Sequence, residues 1–290
     1  MKKIITIVLL IFLYTPHATA QKKLDKLWTK VEQFELDGLP KSALTVVEDI
    51  YKKAVKKNNS PQIIKSLFYK SKFALTLEEN AQLKVIERFK KQIAASTTPT
   101  KNVLQNILAN LYWQYFKQHR YQFYNRTKTA HKVNINDFRS WDLETLFQEI
   151  HSYFKASLAD ETILQKMDIH EFSDILQLEK TSSTYTPTLF DFLANNALQF
   201  YKTSEHSITK PANQFRIDSA IYLSDAIPFS GLQITSKDRS SLQLHALQTY
   251  QKLIEFHLKT GNKDALANID IQRINFVHQH AIFKDKNNVE

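Results

Sequence analysis

Apolar residues recur along this chain three and four positions apart, the period of an α-helix, and strand-type alternation is nowhere sustained. Leu24, Leu27, Trp28, Val31 and Phe34 predict a first helix over 22–36. Gly38 stops it, because glycine takes the left-handed position just past a helix end without strain. Pro40 suits the opening turn of a second helix, 42–57, whose inward positions are Leu44, Val47, Ile50, Tyr51 and Val55. Pro61 opens a third helix ending near Leu77, and Glu79 begins a fourth ending near Ala95. Helix starts near 22 and 61 imply a unit of roughly 39 residues, near the length of helical solenoid repeats. Gly38 followed by Ala43 resembles the small-residue spacing of tetratricopeptide repeats, where two helices approach closely.

The rest is arranged around the stretch Asn102–Asn125. Leu104, Ile107, Leu108, Leu111, Tyr112, Tyr115 and Phe116 cover most of its circumference, so this helix needs neighbours on several sides. A polar loop follows Arg126. Ser140 reads as the N-cap of a helix 141–158, with Asp142 and Glu144 in its first turn. Shorter helices are expected over 160–167 and 168–178, a linker over 180–186, and a helix from Pro187 to Tyr201. A helix over 214–223 and an irregular stretch over 225–237 lead to a closing hairpin, 240–259 and 262–283, around Gly261. The expected fold is all-α: stacked antiparallel helical hairpins, a degenerate tetratricopeptide-like solenoid without substantial sheet. Residues 21–180 form a first domain built on the 102–125 helix, and 187–290 form a second helical segment packed on it.

The first residues read as a sorting signal. Lys2 and Lys3 precede an apolar run, Ile4 to Tyr14, and Ala18-Thr19-Ala20 is a small-x-small cleavage site. The run is shorter than the roughly 20 residues that span a bilayer, so residues 1–20 are expected to be removed. The mature chain then starts at Gln21, without a transmembrane segment, in the periplasm or cell envelope of a Gram-negative bacterium. No cysteine is present, which excludes disulfides, thiolate metal sites, cysteine nucleophiles and thioesters. Only three glycines occur, too few for hairpin turns or phosphate-cradling loops in number. Residues 21–132 carry 22 basic and 9 acidic side chains, and residues 133–290 carry 15 and 20. A basic half suits an envelope polyanion, or equally the solvated face of lysine-rich helices.

Three constellations invite a chemical reading. Beyond Tyr112 the central stretch interleaves rings with cations, and Lys117, Arg120, Tyr121, Tyr124, Arg126 and Lys128 are its candidate ligand or partner surface. Such a surface would suit a glycan or another polyanion, whereas the same rings also fill gaps between helices. Nucleic acid is not expected as a partner of an exported chain. Ser152-Tyr153-Phe154-Lys155 and Lys259-Thr260-Gly261 imitate two motifs of penicillin-binding serine enzymes, but the second falls at a helix end rather than on a strand. The histidines lack ligand spacing: His278 and His280 splay around a helix, and His170 and Asp174 have no second histidine. No metal, cofactor or catalytic residue is expected.

Taken together, Gly38–Leu44 (GLPKSAL), Asn110–Phe116 (NLYWQYF), Phe138–Leu158 and Thr186–Tyr201 resemble the N-terminal helical region of the large exported alpha-2-macroglobulin-like proteins of Bacteroidetes-type bacteria. The resemblance covers about 22–201. It implies a protease-trap context and, in full-length relatives, downstream β-sandwich macroglobulin domains, a bait region and in some a thioester cysteine. None of that equipment is in this chain. The resemblance therefore implies a non-enzymatic scaffold or interaction module, a front piece or a stand-alone copy, with a protein partner or downstream macroglobulin domains. The competing expectation is a stand-alone envelope module that binds a glycan or other polyanion through its basic half. In that bacterial group Asp218-Ser219-Ala220 also fits a short O-glycosylation sequon, making Ser219 a modification candidate.

Overall fold

The computed structural model describes residues 15–79, 81–126, 134–205 and 213–283. The n-region and apolar run of the expected leader lie outside them. All named elements are helices, and the described residues contain no strand beyond one isolated antiparallel bridge between Asp168 and Thr188. In chain order they are α1 Thr15–Leu36, α2 Pro40–Lys56, α3 Ser60–Leu77, α4 Ala81–Ala94, α5 Thr100–Tyr124, α6 Leu143–Ser157, α7 Glu161–Leu164, α8 Ser182–Tyr185, α9 Leu189–Tyr201, α10 Ala226–Ser230, α11 Leu242–Thr260 and α12 Lys263–His280. The all-α class and the packing of successive helices as hairpins are as the spacing predicts.

The chain divides into two compact units, 1–90 and 91–290, with the division inside α4. Residues 180–186, read from sequence as a linker, therefore lie inside the second unit. Backbone bonds hold the neighbouring segments there, from Ile169 N–H to the Pro187 carbonyl at 3.0 Å and from Leu189 N–H to the Met167 carbonyl at 2.9 Å.

In the first unit α2 packs against both α1 and α3. Leu24, Trp28, Val31, Ala43, Val47, Ile50 and Phe73 form its core. Gly38 has φ 67°, the left-handed value that ends α1, and Pro40 sits in the first turn of α2. Asn59 caps α3 by accepting from Gln62 N–H. Lys72 pairs with Glu35 at 2.5 Å, which puts the C-terminal ends of α1 and α3 side by side.

In the second unit α5 and α6 pack together, α9 touches both, and α11 packs on α9, α10 and α12. Tyr112, Phe116, Leu146, Phe154, Phe200 and Leu247 are fully buried. Asn106 donates to Ser157 Oγ at 3.1 Å and to the Leu193 carbonyl at 3.0 Å, and accepts from Asn196. These side-chain bonds tie α5, α6 and α9 into one register.

Three sequence expectations are corrected. Ser140 does not cap α6; its hydroxyl donates to the Asp137 carbonyl within a 3₁₀ turn. Asp142 is the cap, accepting from Thr145 N–H at 2.7 Å. The stretch 214–223 is not an α-helix. Phe215 N–H donates to Asp238 Oδ2 and the Ile217 carbonyl accepts from Ile282 N–H, so its backbone groups pair with distant segments. Only a 3₁₀ turn, Ala220–Leu223, remains helical. The expected short helices over 160–178 reduce to α7 and one 3₁₀ turn, Ile169–Phe172.

Candidate functional site

The aromatic and cationic run of α5 divides: Tyr112, Trp113, Phe116 and Phe123 are buried, whereas Lys117, Arg120, Tyr121 and Tyr124 are exposed. Trp113 stacks on Phe116 at 5.2 Å, and both rings meet Phe147 edge-on. Tyr112 meets Phe138 at 5.1 Å. Backbone angles leave the helical region at His119 (φ −116°, ψ 21°), so the last turn is re-aimed. In that turn Arg120 Nε donates to the Tyr124 hydroxyl at 2.7 Å, the hydroxyl donates to Glu205, and Glu205 also pairs with the Arg120 guanidinium. Glu205 is 8% exposed, so the cation is neutralised at a buried carboxylate. Arg126 donates to the Trp141 carbonyl at 2.7 Å and lies 4.6 Å over the Phe123 ring. Lys117 is exposed and sits 5.6 Å over Trp113, and Tyr121 is 80% exposed. Lys128 lies outside the described residues.

The serine-enzyme mimicry separates into ordinary helix surface. Ser152 Oγ donates to the Glu149 carbonyl at 2.9 Å, Lys259 pairs with Glu255 at 2.6 Å, and Gly261 ends α11 at φ 68°. Ser219 is exposed, with its hydroxyl accepting from Ile221 N–H. His170 bonds Asp168 at 2.8 Å on the surface. No group of three or more metal-ligating side chains occurs among the described residues.

A groove that sequence spacing did not reveal runs between α6 and α11, both of which pack on α9. Glu144, Gln148, His151 and Lys155 fall on one face of α6, while Leu242, His245, Thr249 and Lys252 fall on the facing side of α11. His151 and His245 cross it as stacked rings, 3.8 Å apart and inclined by 18°. On one side of the stack lies a cleft of about 130 Å³ lined by His151, Lys155, Leu158, Tyr201, His245, Gln248, Thr249 and Lys252. On the other side the groove is lined by Glu144, Phe147, Phe215 and Asp238.

The hydrogen bonds around the stack fix its proton arrangement. His151 Nδ1 meets the Tyr201 hydroxyl at 3.0 Å. Burial raises the Tyr201 pKa, so the phenol keeps its proton. When it donates to Nδ1, the neutral ring carries its own proton on Nε2. His245 Nε2 lies 2.9 Å from the Arg239 carbonyl, which only accepts, so Nε2 is protonated. Gln248 gives its amide N–H to the Ile234 carbonyl at 3.0 Å and turns its oxygen toward His245 Nδ1 at 3.4 Å. Both nitrogens of His245 thus face acceptors. Burial holds the His151 pKa down at about 3, with further depression by His245 and Lys155. Burial also lowers the His245 pKa against the opposing effect of its two acceptors. Both rings are neutral at pH 7.

A second histidine pairing is sealed inside. His257 Nε2 donates to Asp191 Oδ1 at 2.8 Å, and both side chains are almost fully buried. Asp191 Oδ2 accepts from Thr188 N–H and hydroxyl, so the pair ties α11 to the start of α9. No family model, curated protein or solved structure matches the chain.

Proposed function

We propose that this chain is an exported, non-enzymatic helical scaffold that offers surface to a protein partner, in the context of an alpha-2-macroglobulin-like protease trap. The observation that supports it most directly is an apolar patch on the first unit. Leu36 (83% exposed), Leu39, Leu75 (59% exposed) and Leu77 are large exposed hydrophobics. The Lys72–Glu35 pair and the bond from Leu39 N–H to the Phe34 carbonyl gather them at one end of the three-helix stack. Contiguous exposed apolar side chains ringed by polar ones are characteristic of protein interaction surfaces. The arrangement of α5 supports the same reading, because Tyr112, Trp113 and Phe116 serve packing while Arg120 and Arg126 have internal partners. Of the described candidates of the polyanion alternative, Arg120, Tyr124 and Arg126 are engaged by Glu205 or Trp141 and Lys117 lies over Trp113, which leaves Tyr121.

A photo-crosslinking amino acid placed at Leu36 or Leu75, with Lys52 as an exposed control on α2, tests this in the cell that exports the protein. Discrete protein adducts are expected from Leu36 and Leu75 and not from Lys52. Equal yields at all three positions would remove the partner surface.

A further inference from the structure

The cleft beside the stacked histidines has a donor set without a function in the scaffold reading. We propose that it binds a tetrahedral oxyanion, sulfate or phosphate, free or as the terminal group of a larger molecule, and that occupancy is coupled to protonation of His245. This inference is independent of the partner surface on the first unit.

The volume fits. About 130 Å³ is far more than the 10–15 Å³ that a single water needs, and it accommodates a compact group of several heavy atoms. Its lining includes two ammonium groups, Lys155 from α6 and Lys252 from α11, and no carboxylate. Lys155 stands one turn beyond His151 on α6 and lines the same cleft, so the cation lies near the stack. When the Tyr201 hydroxyl donates to His151 Nδ1, the ring carries its proton on Nε2, for which the structure gives no protein acceptor among the described residues. The cleft therefore gathers two cations from two helices with no carboxylate in its lining, the requirement for an oxyanion.

The coupling follows from His245. Protonated, this ring satisfies both of its acceptors, the Arg239 carbonyl and Gln248 Oε1; neutral, it can donate to only one. Against protonation stand burial and the Lys155 charge; Asp238 acts in the opposite direction. The other charged groups nearby are Glu144 on α6, Lys237 and Arg239 in the preceding loop, and Lys252, which pairs with Glu161 on α7. A dianion in the cleft offsets the two lysines and allows the imidazolium to form, so proton and anion bind with positive cooperativity. Glu161 competes for Lys252 and weakens the site.

Calorimetric titration with sodium sulfate, at constant ionic strength in chloride, tests this on the full chain. Sulfate keeps its charge between pH 7.5 and 5.5, so any change in affinity over that range belongs to the protein. Affinity is expected to rise severalfold for each unit the pH falls, and to drop at least tenfold in Lys155→Gln/Lys252→Gln. Glu161→Gln is expected to tighten binding, and His245→Asn to flatten the pH dependence. Both lysines are exposed, so the double variant keeps its packing, and an unchanged circular dichroism melt verifies that. Parallel titrations with inorganic phosphate and glycerol 3-phosphate show whether the free ion or an ester is preferred. Absence of binding, binding retained in the lysine variant, or affinity indifferent to pH would each overturn the proposal.

Discussion

At the scale of single residues, the stacked imidazoles make the second unit sensitive to acid. An unfolded histidine titrates near 6.5, whereas folding holds the pKa of His151 down at about 3 and also lowers that of His245. As pH falls below 6.5 the unfolded chain therefore takes up protons that the folded chain refuses. The stabilisation from neutral burial is complete above pH 6.5 and is lost as pH drops toward the folded pKa. Each ring contributes a slope of at most about 1.4 kcal/mol per pH unit. Asp137 and Asp168, whose pKa values are lowered by bonds to Arg139 and His170, act with the same sign only near pH 4 and below. Urea unfolding in chloride buffers at pH 7.5, 6.5, 5.5 and 4.5 should show the decline, and His151→Asn should remove one ring's share. A stability gap between the two proteins that does not change with pH would contradict the role given to burial.

At the scale of elements, helix ends decide where the chain turns. Thr188 and Asp191 form a reciprocal capping box at the start of α9: Thr188 Oγ1 accepts from Asp191 N–H, and Asp191 Oδ2 accepts from Thr188 N–H. Thr188→Ala removes that cap and one bond to the carboxylate that holds His257. The expected cost is about 1–2 kcal/mol, with Thr188→Ser restoring most of it; thermal unfolding of the three proteins measures both. Such ends were only partly legible in the sequence. Gly38, Pro40 and Gly261 announce turns through their own backbone preferences, and the structure uses each as expected. Ser140 misleads because two oxygen-bearing residues, two positions apart, compete for one cap, and only the path of the chain selects Asp142. The stretch 214–223 has helical spacing, but its hydrogen-bond partners, Asp238 and Ile282, are remote in sequence. The ion pair on the α5 surface was hidden for the same reason: Glu205, which pairs with Arg120, lies 85 positions away. The α6–α11 groove depends on two helices meeting the same third helix, which no local pattern encodes.

At the scale of the whole molecule, the division at 90/91 makes a prediction about cooperativity. The first unit carries its own core, in which Ala43, Val47 and Ile50 of α2 are completely buried against α1 and α3. With Ala43 as the small residue and no disulfide to assist, apolar contact is the main support of this three-helix stack. Ile50→Ala deletes three buried carbon atoms and should cost about 2–5 kcal/mol there. Exchange of amide hydrogens distinguishes where that cost is felt, since each cooperative unit opens with its own free energy. Amides of α1, α2 and α3 are expected to exchange faster in the variant, by about a factor of ten for every 1.4 kcal/mol lost, while those of α6, α9 and α11 keep their rates. An equal acceleration in both sets would mean that 1–90 and 91–290 open together, and the two cores would then have to be treated as one folding unit. If the rates separate, a perturbation of the leucine end of the first unit leaves the histidine cleft of the second intact. Partner binding and anion binding could then be assayed independently on the same chain.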